Sequence, residues 1–219
     1  HINDTFAATF NQGGTPVRYI LQRINHQIFK NPPALMDNIV RVTDHIRARL
    51  LETGAPDVSR RVLTLIPTRN GKRFLADDAG LFWRVYVFIE RARTYDVIEN
   101  TGQALEAARA FGRFQRALAD LSGPRLHETI PGFHHTPTRF AALRAAVEQD
   151  PMNRAASVKA EIAFALARES MANELVGRQA AGALRECVTH NDTKLNNVML
   201  DDVSREGICV IDLDTVMPG

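Results

Sequence analysis

The sequence predicts an α+β fold in two lobes, the first strand-rich with one long helix and the second mostly helical. Three observations predict it. Apolar runs of strand length are broken by turn residues before Glu90; an Ala- and Arg-rich stretch with helical spacing follows Asn100; and short apolar runs return after Glu186. The expected domains are residues 1–90 and 91–219, with the joint between Glu90 and Asn100.

Thr5 to Phe10 and Val17 to Ile24 read as strands, and Asn11-Gln12-Gly13-Gly14 between them is a hairpin signal. Asn31-Pro32-Pro33 then places an Asn at a helix cap and a Pro at the first helical position. In the helix after this cap, Leu35, Ile39, Val42, Ile46 and Leu50 form one apolar stripe, while Asp37, Arg41 and Asp44 share another face. Thr53-Gly54-Ala55-Pro56 ends it. Arg61 to Pro67 and Leu81 to Ile89 read as two further strands, with Asn70-Gly71 and Asp77 to Gly80 as turns.

Beyond Asn100, Phe111, Phe114, Leu118 and Leu121 keep a helical period until Ser122-Gly123-Pro124 breaks it. Pro131, Gly132 and Pro137 mark a loop. Phe140, Leu143 and Val147 suggest a short helix up to Asp150-Pro151, and Lys159 to Ala183 a single long one. Cys187 to Thr189, Val198 to Leu200 and Ile208 to Ile211 then read as short strands, the last two forming a hairpin.

A formal net charge of +2 in 219 residues argues against a dedicated polyanion binder, so no nucleic-acid partner is expected. The 45% hydrophobic and 24% charged composition is that of a globular chain with a real core. No run approaches the roughly 18 apolar residues a spanning helix needs, so no membrane partner is expected either. Two cysteines, Cys187 and Cys209, and no secretory pattern at the start predict a reducing cytoplasm. The chain opens and stops inside structured-looking sequence, and both ends are expected to continue in a longer protein.

The strongest chemical signal is His190-Asn191-Asp192-Thr193-Lys194-Leu195-Asn196-Asn197, in which an Asp follows a His by two residues and precedes an Asn by five. That spacing is the pattern of a phosphotransferase catalytic loop. It gains weight from Val210-Ile211-Asp212-Leu213-Asp214. If the chain reverses near Ser204 and Arg205, antiparallel pairing brings Asn197 and Asp212 together at the open end of the hairpin, beside Asp192. Mg²⁺ takes such hard oxygen ligands and completes its shell with waters and nucleotide phosphates.

With these motifs the chain resembles the aminoglycoside phosphotransferase and choline kinase group of protein-kinase-like enzymes, and within it the N-acetylhexosamine 1-kinases. The matching stretches are His1-Ile2-Asn3-Asp4-Thr5, Leu21-Gln22-Arg23-Ile24-Asn25, Leu126 to Pro131, His190 to Val198 and Ile211 to Gly219. The resemblance implies a protein-kinase-like two-lobe fold, ATP and Mg²⁺ as cofactors, and a sugar as the small-molecule acceptor. It implies Asp192 as the residue that orients or deprotonates the acceptor hydroxyl, Lys194 near the γ-phosphate, and Asn197 and Asp212 as metal ligands. Asp214 is either a further metal ligand or a loop anchor.

By position, Arg23 stands where the related enzymes place the Lys that grips the α and β phosphates, with Asp37 as its acidic partner and Asp44 as the next choice. Phe88-Ile89-Glu90 stands where the hinge offers backbone groups to adenine. The end of the phosphate loop matches Asn3-Asp4-Thr5-Phe6. His134, His135 and Arg139 are loop residues that either meet solvent or face the sugar. His127-Glu128 implies no zinc, because Pro131 stands where a second His would be required. Two alternatives remain from the sequence: a kinase for another small alcohol, such as an aminoglycoside, choline or homoserine, and a nucleotide-binding pseudokinase.

Overall fold

The structure, a computed structural model, describes residues 2–219; His1, one of the residues carrying the resemblance, lies outside the described residues. The chain forms two compact units, one made of the residues up to Ile130 together with Val188–Pro218, the other of Pro131–Cys187. The joint expected between Glu90 and Asn100 falls inside the first unit.

That unit opens with β1 (Asp4–Gln12) and β2 (Thr15–Ile24), α1 (Pro32–Glu52), the short α2 (Val58–Arg61), β3 (Leu75–Ala76) and β4 (Phe82–Val87). Gly13 and Gly14 make the two-residue turn of the first hairpin at φ of 60° and 90°, a left-handed backbone that costs glycine little. The strands form an antiparallel sheet in the order β1-β2-β4-β3. Thr5 stands opposite Gln22, and Gln22 opposite Arg84, in one row; Asp4, Arg23 and Trp83 form the next. Because side chains alternate along a strand, these two rows occupy opposite faces of the sheet.

Asn31 caps α1 by accepting a hydrogen bond from the Ala34 N–H at 3.2 Å. The helix buries Leu35, Ile39, Val42 and Ile46, as the stripe predicts, and each such side chain contributes about 1.5–3 kcal/mol by leaving water. The strand expected over residues 61–67 is mostly absent. Its first residue ends α2, and the remainder touches β4 through one bridge, Leu65 to Tyr86. Pro67, which has no N–H to donate, helps to end the pairing there.

β5 (Ala92–Arg93) and α3 (Thr101–Ala117) come next, the latter capped by Asn100, which accepts from the Gln103 N–H at 3.0 Å. The chain rejoins the unit at β6 (Val188–Thr189), then β7 (Val198–Asp201), β8 (Gly207–Val210) and β9 (Met217–Pro218). β5, β7 and β8 make one small sheet; β6 and β9 pair separately. Arg60 of α2 fastens this part to the segment that follows β4. Its guanidinium donates to the carbonyls of Glu90 at 2.9 Å and Arg91 at 3.0 Å and to the Asp201 carboxylate at 2.8 Å.

The second unit contains α4 (Thr136–Gln149), α5 (Lys159–Leu166), α6 (Glu169–Ala172) and α7 (Glu174–Ala180). The single helix expected over 159–183 is therefore three. Ala172 is the one residue buried along these three helices, so no apolar stripe holds a long helix together, and helical propensity alone is marginal in water. Among the described residues, no helix is long and apolar enough to cross a membrane. Cys187 is exposed and Cys209 buried, both as free thiols.

β8 lies so close to α3 that a Cβ added at Gly207 would stand 2.7 Å from the Glu106 carbonyl oxygen and 3.1 Å from the Ala110 Cβ. Gly207→Ala is expected to lower stability by about 1–3 kcal/mol, the usual effect of overpacking. Thermal denaturation checks this, and an unchanged melting temperature would show that the hairpin is not seated on the helix.

Candidate active site

The loop after β6 is built around His190. The imidazole is buried, with the rings of Phe111 and Phe114 edge-on to it at 5.3 and 5.7 Å between centroids. Nε2–H donates to the Ile211 carbonyl at 2.9 Å, which leaves Nδ1 to accept from the Asp192 N–H at 3.3 Å. His190 thus joins the loop to the strand that precedes Asp212. Burial lowers its pKa, against the pull of the Ile211 carbonyl and the nearby carboxylates, and the ring stays neutral.

Asn191 next takes a left-handed backbone, φ 62°, and its amide donates to the Thr215 carbonyl at 3.0 Å. Asp192 comes after it, one third exposed, its carboxylate 2.8 Å from the Lys194 ammonium and accepting from the Asn197 amide at 2.9 Å. Burial pushes the Asp192 pKa up; Lys194 and Asn197 outweigh it, so the net shift is down and the carboxylate is ionised. An ionised, partly exposed carboxylate can take a hydrogen bond from a hydroxyl and then its proton.

The hairpin sets Asn197 opposite Ile211, the residue before Asp212. The Ile211 N–H donates to the Asn197 main-chain carbonyl at 2.9 Å, and Arg205 turns the distal end at φ 64°. Asp212, immediately after Ile211, is left-handed at φ 59° and ψ 56°, a backbone held in place only by its surroundings. Its tip reaches solvent while much of its environment is protein. That desolvation, with the Asp214 charge two residues on, raises its pKa above the ordinary aspartate value.

Asp212 has no ion-pair partner among the described residues, and the Asn197 side-chain NH₂ is committed to Asp192, leaving its side-chain Oδ1 for another partner. One carboxylate and one amide oxygen beside an excess of negative charge fit a hard divalent cation. No group of three His, Cys, Asp or Glu side chains able to hold an ion alone occurs among the described residues, so the shell would be completed from elsewhere.

Asp214 is different. It is buried, and its two oxygens are taken by the Arg84 guanidinium and the Asn3 amide. Sequence reasoning did not find Arg84, although the signal was present: a cation between Phe82 and Tyr86, at the inward parity of an apolar strand.

Arg23 does not meet Asp37. It lies in the opposite row of the sheet from Arg84, and its Nε donates to Asp4 at 2.7 Å. Asp37 on α1 instead lies 3.2 Å from His127 and 3.9 Å from Arg41. The physical reason is strand parity: one residue along β2 decides which face a side chain serves.

At the expected hinge, the Phe88 N–H donates to the Arg18 carbonyl at 3.2 Å, and the Arg18 guanidinium lies 3.9 Å over the Phe88 ring and pairs with Glu90. With the Glu90 carbonyl held by Arg60, the groups left to a ligand include the N–H and C=O of Ile89. In the second unit His135 caps α4 and Arg139 binds the Phe133 carbonyl at 2.8 Å, both local uses. A cavity of about 110 Å³ lies behind the hairpin among Leu50, Val62, Phe114, Ile208 and Leu213, and no predicted site residue lines it.

The whole chain, residues 1–219, matches the phosphotransferase enzyme family. The chain belongs to that family. Among solved structures it is similar to an amicoumacin kinase in complex with AMP-PNP and Ca²⁺, at 16% identity and a TM-score of 0.57 over 99% of this chain and 57% of that one. A spectinomycin phosphotransferase in complex with ADP and spectinomycin matches at 16% identity and a TM-score of 0.49, over 98% of this chain and 61% of that one. The chain thus spans about three fifths of the length of these structures. The first likeness shows the fold: α+β and protein-kinase-like, with an antiparallel amino-terminal sheet followed by a largely helical part.

In this family member the neutral His190 makes stability depend on pH. Unfolded histidine titrates near about 6.5, whereas the buried ring resists its proton, so stability present above that pH is lost as pH falls toward the lowered folded value. Urea midpoints of His190→Gln and the parent are expected to differ most near neutral pH and to converge on acidification. A difference that does not change with pH would contradict a buried neutral ring.

Proposed function

We propose that this chain carries the nucleotide and metal site of an ATP- and Mg²⁺-dependent small-molecule kinase. Its acceptor is a sugar hydroxyl, the anomeric hydroxyl of an N-acetylhexosamine. One observation carries the reading: the Asp192 carboxylate is held between Lys194 and Asn197 on a loop whose end is hydrogen-bonded to the strand leading into Asp212.

Phosphoryl transfer needs positioning and charge neutralisation more than covalent chemistry from the protein. Asp192 accepts the acceptor's proton and Lys194 stands by the transferred phosphoryl group. Asn197 and Asp212 would hold Mg²⁺, which when bound neutralises charge on the nucleotide phosphates. The backbone of Ile89 faces adenine. A neutral acceptor is supported by the sequence, which shows no block of acidic residues for a polycationic aminoglycoside and only 7% aromatic residues for a choline cage.

In the full-length protein, Asp192→Asn is expected to keep nucleotide affinity and lower turnover by roughly 10²–10⁴, the usual worth of a positioned base. Near-normal turnover would move the chemistry elsewhere. Asp212→Ala is expected to abolish Mg²⁺-dependent ATP binding measured by calorimetry, and unchanged affinity would remove Asp212 from the site. An acceptor screen followed by ADP release, with acid hydrolysis of the product, tests the sugar. A glycosyl phosphate is acid-labile; an acid-stable phosphate, or turnover with spectinomycin, kanamycin or choline but not N-acetylhexosamines, would overturn the anomeric acceptor and leave the kinase reading intact.

A further inference from the structure

Resting on that functional reading, we propose that Arg84 is a positioning residue for phosphoryl transfer. It holds Asp214 in a buried ion pair, so that Asp214 props the metal loop and leaves ligation to Asp212 and Asn197.

The side chains of Arg84 and Asp214 are 1% and 3% exposed, and both Asp214 oxygens already have donors, Arg84 Nη1 on one and Asn3 Nδ2 on the other. A ligand to an ion that also carries waters and phosphates must open onto that ion. Asp214 opens onto the protein instead. Asp212 has the reverse character, exposed at its tip with no ion-pair partner among the described residues.

Arg84 is equally constrained from its other side. Its Nε donates to Gln22 at 3.0 Å, Gln22 donates to Thr5 at 3.0 Å, and the guanidinium carbon lies 5.4 Å from the centroid of the Tyr86 ring. With Nε and Nη1 committed and the side chain buried, Arg84 would have to leave the core to grip a phosphate. Its Nη1 donates to Asp214, in the turn Leu213–Thr215 directly after Asp212. Thr215 in the same turn donates to the His190 carbonyl at 2.7 Å. Movement of Asp214 therefore shifts both Asp212 and the loop bearing Asp192.

A double-mutant cycle in the full-length protein separates a prop from a ligand, with Mn²⁺ plus ADP as the probe, monitored by electron paramagnetic resonance, and melting temperature as a second readout. Arg84→Met or Asp214→Leu alone leaves a buried charge unpaired, so each is expected to lower the melting temperature and weaken Mn²⁺–ADP binding about tenfold or more. The combined variant removes both charges and is expected to recover the melting temperature and to bind Mn²⁺–ADP within about threefold of the parent. Arg84→Lys, which keeps the charge, is expected to lie between the parent and Arg84→Met in both readouts. If the combined variant folds but keeps the affinity loss of Asp214→Leu, Asp214 is a ligand and the proposal is overturned; failure to recover either readout overturns it as well. A parent protein that does not bind Mn²⁺–ADP at all would instead bring down the kinase reading, and this proposal with it.

Discussion

A guanidinium and a carboxylate buried against each other, Arg84 and Asp214, constrain everything around the candidate site. Neither can be left alone out of water: removing one partner of such a pair costs about 3–5 kcal/mol. The first sheet must therefore present Arg84 where the turn after Asp212 presents its carboxylate. Both ends are supported by further hydrogen bonds, Thr5 and Gln22 behind the arginine, Asn3 and Asn25 behind the aspartate. Such a network has few alternative arrangements, because any partial loosening strands a buried polar group.

Other buried polar contacts converge on the same short stretch of chain. Asn38 on α1 binds the Val216 carbonyl at 3.0 Å, His190 binds Ile211, and Thr215 binds the His190 carbonyl. The turn after Asp212 is thus fastened to the sheet, to α1 and to the loop carrying Asp192. Three aspartates within this small region then acquire different characters. Asp192 is ionised and held by a cation and an amide; Asp212 is exposed at its tip, with desolvation and the Asp214 charge raising its pKa; Asp214 is buried and paired. The chemical difference lies in the surroundings, since the side chains are identical.

Arg60 performs a comparable task behind the site. By reaching two consecutive carbonyls after β4 and the Asp201 carboxylate at the hairpin's distal end, it ties the expected hinge to the hairpin. It also occupies the Glu90 carbonyl. Stability and site geometry here depend on the same side chain.

The amino-acid sequence alone determined what short-range physics controls. Gly13-Gly14 admits a left-handed two-residue turn, Asn31 and Pro32 start a helix whose stripe must be buried, and the spacing from His190 to Asn197 lets Asp192 and the Asn197 amide meet within one loop. The pairing of the strands around residues 204 and 205 was likewise legible; it was expected to set Asn197 against Asp212, and the register sets it opposite Ile211, one residue earlier. Tertiary structure decided what depends on partners far along the chain. Whether Arg23 or Arg84 faces inward is a matter of strand parity against the core, which one residue inverts, and Asp37 found His127 because the next residue of α1, Asn38, is hydrogen-bonded to the His127 backbone. The break of residues 159–183 into three helices comes from a missing packing surface, and propensity carries no information about such a surface. Asp214 shows the same division: its sequence neighbours left two roles open, and a guanidinium 130 residues earlier in the chain, brought close by the fold, now holds it.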